Sequence, residues 1–214
     1  MSAVKLVIFD WDGTVMDSVG KIVNCLQAAA AQTNLVVPSF DEAKQIIGLS
    51  LDPAFARLFP EADAHTRHQL AVAYKEIYLH HDQTPTPLFH GAKELFHQLQ
   101  QQGYLLAVAT GKVRRGLARC LEETQTAQYF AASCCADEAQ SKPHPQMLQQ
   151  ILAYLKIQAA EAVMVGDTVH DLAMAQAIAM PRVGITHGVH GAADFAPFSP
   201  KAIIDQLHQL PEHC

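Results

Sequence analysis

The chain has 214 residues, half of them hydrophobic, enough for one substantial core or for a large domain carrying a smaller insertion. Its formal net charge of −6 gives no basic field for gathering nucleic acid or anionic membrane at long range, so an anionic ligand has to be bound locally. The five cysteines, Cys25, Cys120, Cys134, Cys135 and Cys214, contain no Cys-x-x-Cys pair and suggest neither a disulfide framework nor a zinc knuckle. The apolar run near Met1 is too short for a signal peptide and no run is long enough to span a bilayer, so a cytoplasmic location is expected.

Leu6 to Phe9 is a continuous apolar run with β-branched members, the pattern of a strand buried on both faces of a parallel sheet, and Asp10 follows at its end. From about Met16 to Leu88 no strand-like run occurs, and consecutive helical patterns predict an inserted helical unit. Within it Ser39 and Glu42 have the spacing of a capping box, and Gly48 is a suitable stop. The Thr84-Pro-Thr-Pro87 segment resists helix and strand alike and predicts a connector, paired with a first hinge near Met16 to Ser18.

Beyond it, Glu94 to Gln102 predicts a helix ending before Gly103, and Leu105 to Ala109 a strand ahead of Thr110. A weaker strand pattern covers Ala131 to Cys135, and Met147, Leu148, Ile151, Leu152 and Leu155 form one apolar helical stripe. Ala162 to Val165 predicts a strand before Gly166 and Asp167, and weaker runs follow at Val183 to Ile185 and Ala202 to Ile204. Alternating strands and helices imply a doubly wound, Rossmann-like α/β core over residues 1–16 and 88–214, with a helical cap over 17–87.

In open α/β sheets ligands sit beyond the carboxyl ends of the strands, where Asp10, Thr110 and Asp167 are expected to converge. Asp10 and Asp12 project to one side if the backbone stays extended between them. Two carboxylates about 4 Å apart repel by roughly 4 kcal/mol at an effective dielectric near 20, which favours a shared proton or a divalent cation. Asp167, with Asp171 one helical turn later, supplies further oxygens, and an oxygen-only set fits magnesium better than zinc.

Asp10-Trp-Asp-Gly-Thr14, Ala109-Thr-Gly-Lys112, Ser141-Lys-Pro-His-Pro145 and Gly166-Asp-Thr-Val-His-Asp171 together resemble the four ordered motifs of the haloacid dehalogenase (HAD) superfamily. The helical insertion resembles the cap of its phosphoglycolate phosphatase-like branch. The resemblance implies a magnesium-dependent phosphatase in which Asp10 attacks phosphorus and Asp12 acts as acid, then base. It also implies a metal held by the Asp10 carboxylate, the Asp12 main-chain carbonyl and Asp167, with Asp171 completing or bracing the shell. Thr110 and the Gly111 amide would bind the phosphoryl group and Lys142 would offset charge. Asp12 argues against the dehalogenases and phosphonatases of the superfamily, which lack an acid there.

The implied partner is a small phosphorylated metabolite, with 2-phosphoglycolate the leading substrate and pyrophosphate or sugar phosphates, including a mutase activity, as alternatives. From other classes, a phosphoryl-accepting receiver domain or a silent binding module stays open, and so does monomer against dimer. Lys112 is expected to meet either substrate or solvent, and Arg114 and Arg115 solvent. His187 and His190 are expected in a surface loop, His80 and His81 at a solvated helix end, and Cys134 and Cys135 as small buried hydrophobes. Gly48 to Leu51 lies where relatives lower a specificity loop, and Lys44 and Arg57 are available to a second anionic group.

Overall fold

The computed structural model describes residues 4–214, so the first three residues of the expected core segment lie outside the described residues. Strand β1 (Leu6–Phe9) precedes α1 (Val19–Gln32), α2 (Phe40–Lys44), α3 (Leu51–Leu58) and α4 (Ala64–Glu76), which runs on into a wider turn at Ile77–His81. Then come α5 (Ala92–Gln101), β2 (Leu105–Ala109), α6 (Arg114–Glu123), β3 (Ala132–Cys134) and α7 (Gln146–Leu155). The chain closes with β4 (Ala162–Gly166), α8 (Val169–Gln176), β5 (Arg182–Ile185), α9 (Ala192–Phe195) and β6 (Ala202–Ile204), followed by a last turn at Leu207–His213.

The strands pair in parallel in the order β3-β2-β1-β4-β5-β6. Chain direction across the sheet reverses between β1 and β4, and this opens a crevice at their carboxyl ends. Each central strand buries both faces. Val7, Phe9, Leu106, Val108, Val163 and Val165 pack on one side with Leu95, Phe96 and Leu99 of α5. Leu6, Ile8, Ala107, Ala109, Ala162 and Met164 pack on the other with Met147, Leu148 and Ile151 of α7 and Met174 of α8. Two-sided burial is why these strands are apolar without alternation.

The four helices between β1 and α5 enclose an apolar cluster of their own, including Val23, Leu26, Ile46, Phe55 and Leu70, which Val189 from the other side also joins. The capping box forms: Ser39 N–H donates to Glu42 Oε2 at 2.8 Å and Glu42 N–H to Ser39 Oγ at 3.2 Å. The helix does not last to Gly48, however. From Gln45 onward the amides bond three residues back, Gln45 to Glu42, Ile47 to Lys44 and Leu49 to Ile46, so tighter turns lead to Gly48.

Entry to and exit from the inserted helices lie side by side. Met16 pairs antiparallel with Leu88, Asp17 N–H donates to the Pro87 carbonyl at 2.8 Å and Phe89 N–H to the Val15 carbonyl at 2.9 Å.

Candidate active site

Asp10 follows β1 and Asp167 follows β4, while Asp171 stands in the first turn of α8, where an acid also suits the helix dipole. One oxygen from each lies within 4.8 Å of the others, and all three side chains are buried. At that spacing each ionised pair repels by roughly 3.5 kcal/mol at an effective dielectric of 20. Lys142, itself buried, bridges two of them, with Nζ 2.9 Å from Asp10 Oδ1 and 2.7 Å from Asp171 Oδ1. Burial works against its charge, yet Asp10 and Asp171 hold the ammonium well above its usual range.

One lysine among three acids leaves a deficit. Burial raises the Asp10 carboxyl well above the ordinary range; Lys142 opposes this, and the charges of Asp171 and Asp167 add to it. Burial, then the Asp171 charge, pushes Asp167 up to about 7 against the pull of its bonds from Thr14 and Val189. Asp10 Oδ1 accepts from Trp11 N–H at 2.6 Å, whereas Asp10 Oδ2 is buried with no hydrogen-bond partner. An all-oxygen cluster with excess negative charge and a bare buried oxygen fits a hard divalent cation.

Each acid is set by its neighbours. Thr14 Oγ–H donates to Asp167 Oδ1 at 2.7 Å, Asp167 N–H returns to Thr14 Oγ at 3.0 Å, and Val189 N–H donates to Asp167 Oδ2 at 2.9 Å. Thr168 caps α8 and donates its N–H and Oγ–H to Asp171 Oδ2 at 3.1 and 2.7 Å. A Cβ on Gly188 would fall 2.1 Å from Asp167 Oδ2, so only glycine lets that loop pass. Thr14 and Thr168 lie within the first and fourth motifs, but like Gly188 and Val189 they carry no role in the sequence reading; Thr168, three residues before Asp171, also has the spacing of a capping box.

Thr110 is buried at the tip of β2, where its Oγ accepts the Lys112 amide at 3.2 Å. Gly111 lies directly beneath the 48–51 loop, since a Cβ there would meet the Gly48 and Leu49 carbonyl oxygens at 2.8 and 2.9 Å. Ser50 N–H donates to Ser141 Oγ at 2.9 Å, and that loop thus touches segments beside both Thr110 and Lys142. The Asp12 carboxylate stands apart from the three-acid cluster; its Oδ1 accepts Ser18 Oγ–H at 2.6 Å and Lys112 Nζ lies 2.9 Å from it.

Several peripheral expectations change. His190 is buried rather than in a surface loop: its Nδ1 accepts the Val169 amide at 3.3 Å and its Nε2 lies 3.0 Å from Gln45 Oε1. His187 stacks on Phe89 at 3.7 Å and bonds the Thr14 carbonyl at 3.0 Å. Arg114 is not left to solvent, because Glu138 takes both its Nε and Nη2 at 2.8 and 2.6 Å. That carboxylate also balances a cation at a helix start, where the dipole disfavours it. Arg115, His80 and His81 are exposed and Cys134 and Cys135 buried, as expected. Lys44 pairs with Asp41 of its own helix at 2.9 Å, and Arg57 is exposed.

Acids at the switch point of a doubly wound sheet, two of them bridged by a buried lysine, form the candidate active site of a hydrolase. The chain belongs to the haloacid dehalogenase-like hydrolases, whose family model matches residues 7–185. Among curated proteins it is 34% identical to the "Probable phosphatase IndB" of Dickeya dadantii, over 96% of this chain and 91% of that one. It is 26% identical to the phosphoglycolate phosphatase of Vibrio cholerae, over 99% and 97%. A Bacteroides fragilis structure, solved as a candidate haloacid dehalogenase-like hydrolase, superposes with a TM-score of 0.90 at 24% identity, over 97% of this chain and 99% of that one, and shares the fold. Among the described residues no helix is long and apolar enough to cross a membrane.

Proposed function

We propose that this chain, a phosphoric ester hydrolase of the haloacid dehalogenase-like family, is a magnesium-dependent phosphatase that works through an aspartyl phosphate on Asp10. The carrying observation is the buried cluster of Asp10, Asp167 and Asp171, together with the buried Asp10 Oδ2 that no hydrogen bond reaches. Asp10, Asp167 and the Asp12 carbonyl would hold the cation, with Asp171 bracing Lys142. Bound Mg²⁺ supplies charge neutralisation for the acids and for the phosphoryl oxygens.

Asp10 attacks phosphorus in line, forming the acyl phosphate as the bond to the leaving oxygen breaks. Asp12 gives its proton to that oxygen, then takes one from the water that attacks the acyl phosphate, releasing phosphate and restoring Asp10. Thr110 Oγ and the Gly111 amide orient the phosphoryl group, and Lys142 stabilises its growing charge. Residues 17–87 act as the cap, and the 48–51 loop excludes water over Gly111.

Small phosphomonoesters are the substrate class, and 2-phosphoglycolate is the first to test, supported by the names of curated relatives at modest identity. Purified protein with Mg²⁺ is expected to hydrolyse para-nitrophenyl phosphate, and Asp10→Asn to abolish turnover while its melting curve stays cooperative. Undiminished steady-state phosphate release by that variant overturns the nucleophile. A panel of phosphorylated metabolites ranked by kcat/KM decides the substrate.

A further inference from the structure

Lys112 leaves the tip of β2 just after Gly111, and its partner is not a local one. Its ammonium lies 2.9 Å from Asp12 Oδ1, with each side chain 11% exposed. Ser18 Oγ–H occupies the same oxygen at 2.6 Å. Oδ1 is therefore gripped by two donors from different elements, and among the described residues none donates to Oδ2.

The lysine is held in turn from the inserted helices. Nζ lies 3.4 Å from the Tyr78 hydroxyl and 5.3 Å from the Tyr78 ring centroid, and Tyr78 sits on the wide turn that ends α4. Lys21 and Arg119 also approach that ring, at 4.9 and 5.9 Å. Each of these has another carboxylate, Asp82 at 3.9 Å and Glu123 at 3.6 Å, which leaves Lys112 as the cation committed to Asp12.

We propose that Lys112 is a positioning residue for Asp12, fixing the carboxylate so that Oδ2 faces the leaving oxygen, and that Tyr78 ties this orientation to the cap. The inference rests on the assignment of Asp12 as acid and base. As the bond from phosphorus to the leaving oxygen breaks and the bond to Asp10 forms, the proton on Asp12 Oδ2 passes to the leaving oxygen. Lys112 keeps all its own protons and steadies the carboxylate that results, through a charge-assisted bond in a largely dry site.

The consequence is dependence on the leaving group. General acid catalysis contributes about 10²–10⁴-fold where an alkoxide leaves and far less where a stable anion such as para-nitrophenolate does. Lys112→Met is expected to cut kcat/KM by roughly 10–100-fold, within that range, on 2-phosphoglycolate and on an uncharged alkyl phosphate that the wild type hydrolyses. On para-nitrophenyl phosphate the loss should stay within about threefold. Lys112→Arg should restore part of the loss, and adding Lys112→Met to Asp12→Asn should cost little more than Asp12→Asn alone.

Loss confined to the carboxylated ester would instead make Lys112 a substrate contact, and equal loss on all three esters a merely structural residue; either overturns the proposal. Asp12→Asn serves as the separate control. If that variant shows no preference between alkyl and aryl esters, the Asp12 assignment itself falls. A selective Asp12→Asn beside an unselective Lys112→Met sinks only the role of Lys112. Melting curves check folding, and Lys112→Gln carries the same comparison if the methionine variant does not fold.

Discussion

The Asp167 carboxylate shows how little freedom the site leaves its ligands. Thr14 holds one oxygen and Val189 N–H the other, and the loop carrying Val189 passes so close that a side chain at Gly188 would strike Asp167 Oδ2. Gly188→Ala must therefore displace either the loop or the acid. With Asp167 holding the cation as proposed, displacing a group that orients a metal ligand costs about 10–100-fold in metal affinity, and a rise of that size is expected in the Mg²⁺ concentration giving half-maximal activity. Gly191→Ala in the same loop, where the added carbon would meet only Asp194 Oδ2 at 3.8 Å, should leave that concentration unchanged. Equal behaviour of the two variants would show that the approach of Gly188 is immaterial.

At the scale of elements, α2 has five residues and leans on its cap. Removing the Ser39 hydroxyl, by Ser39→Ala, is expected to cost about 1 kcal/mol in denaturant unfolding. A destabilisation indistinguishable from zero would mean that the capping box contributes nothing there. Ser39 and Glu42 could be found by eye because a cap is written within four consecutive residues, and the core strands could be found because burial on both faces makes a run continuously apolar. Asp10 and Asp167 are legible for a related reason, since each directly follows a strand, and Asp171 because it lies one helical turn beyond Asp167. What escaped depends on approaches between distant segments: Lys112 to Asp12, Arg114 to Glu138, Gly188 to Asp167 and His190 to Gln45. No local spacing encodes such pairs, and a histidine in a polar-looking loop reads as exposed until the inserted helices that cover it are in place.

For the whole molecule, the crowded acids couple stability to pH and to metal. Asp167, pushed from its ordinary 3.8 to about 7, and Asp10, raised well above its range, hold protons in the metal-free folded state that the unfolded chain has already released. Their effect is that folded stability declines as pH rises through that window, by up to about 1.4 kcal/mol per pH unit for each proton. His187 and His190, kept below their ordinary range by burial, act in the opposite direction, adding stability as pH rises toward the unfolded histidine range. Comparing melting with and without Mg²⁺ at each pH largely cancels the histidines. Because the proposed cation would bind the ionised acids, the increment in melting temperature it gives should be small near pH 5 and grow to a plateau above about pH 7. An increment independent of pH would place the bound ion elsewhere. Finally, the chain crosses between sheet and inserted helices twice, and the two passages are bonded to each other through Asp17 with Pro87 and Phe89 with Val15. Laced together, the two passages form one ribbon, and any swivel of the inserted helices about it would carry Tyr78 away from Lys112, so the 3.4 Å between them would gauge how far such a door stood open.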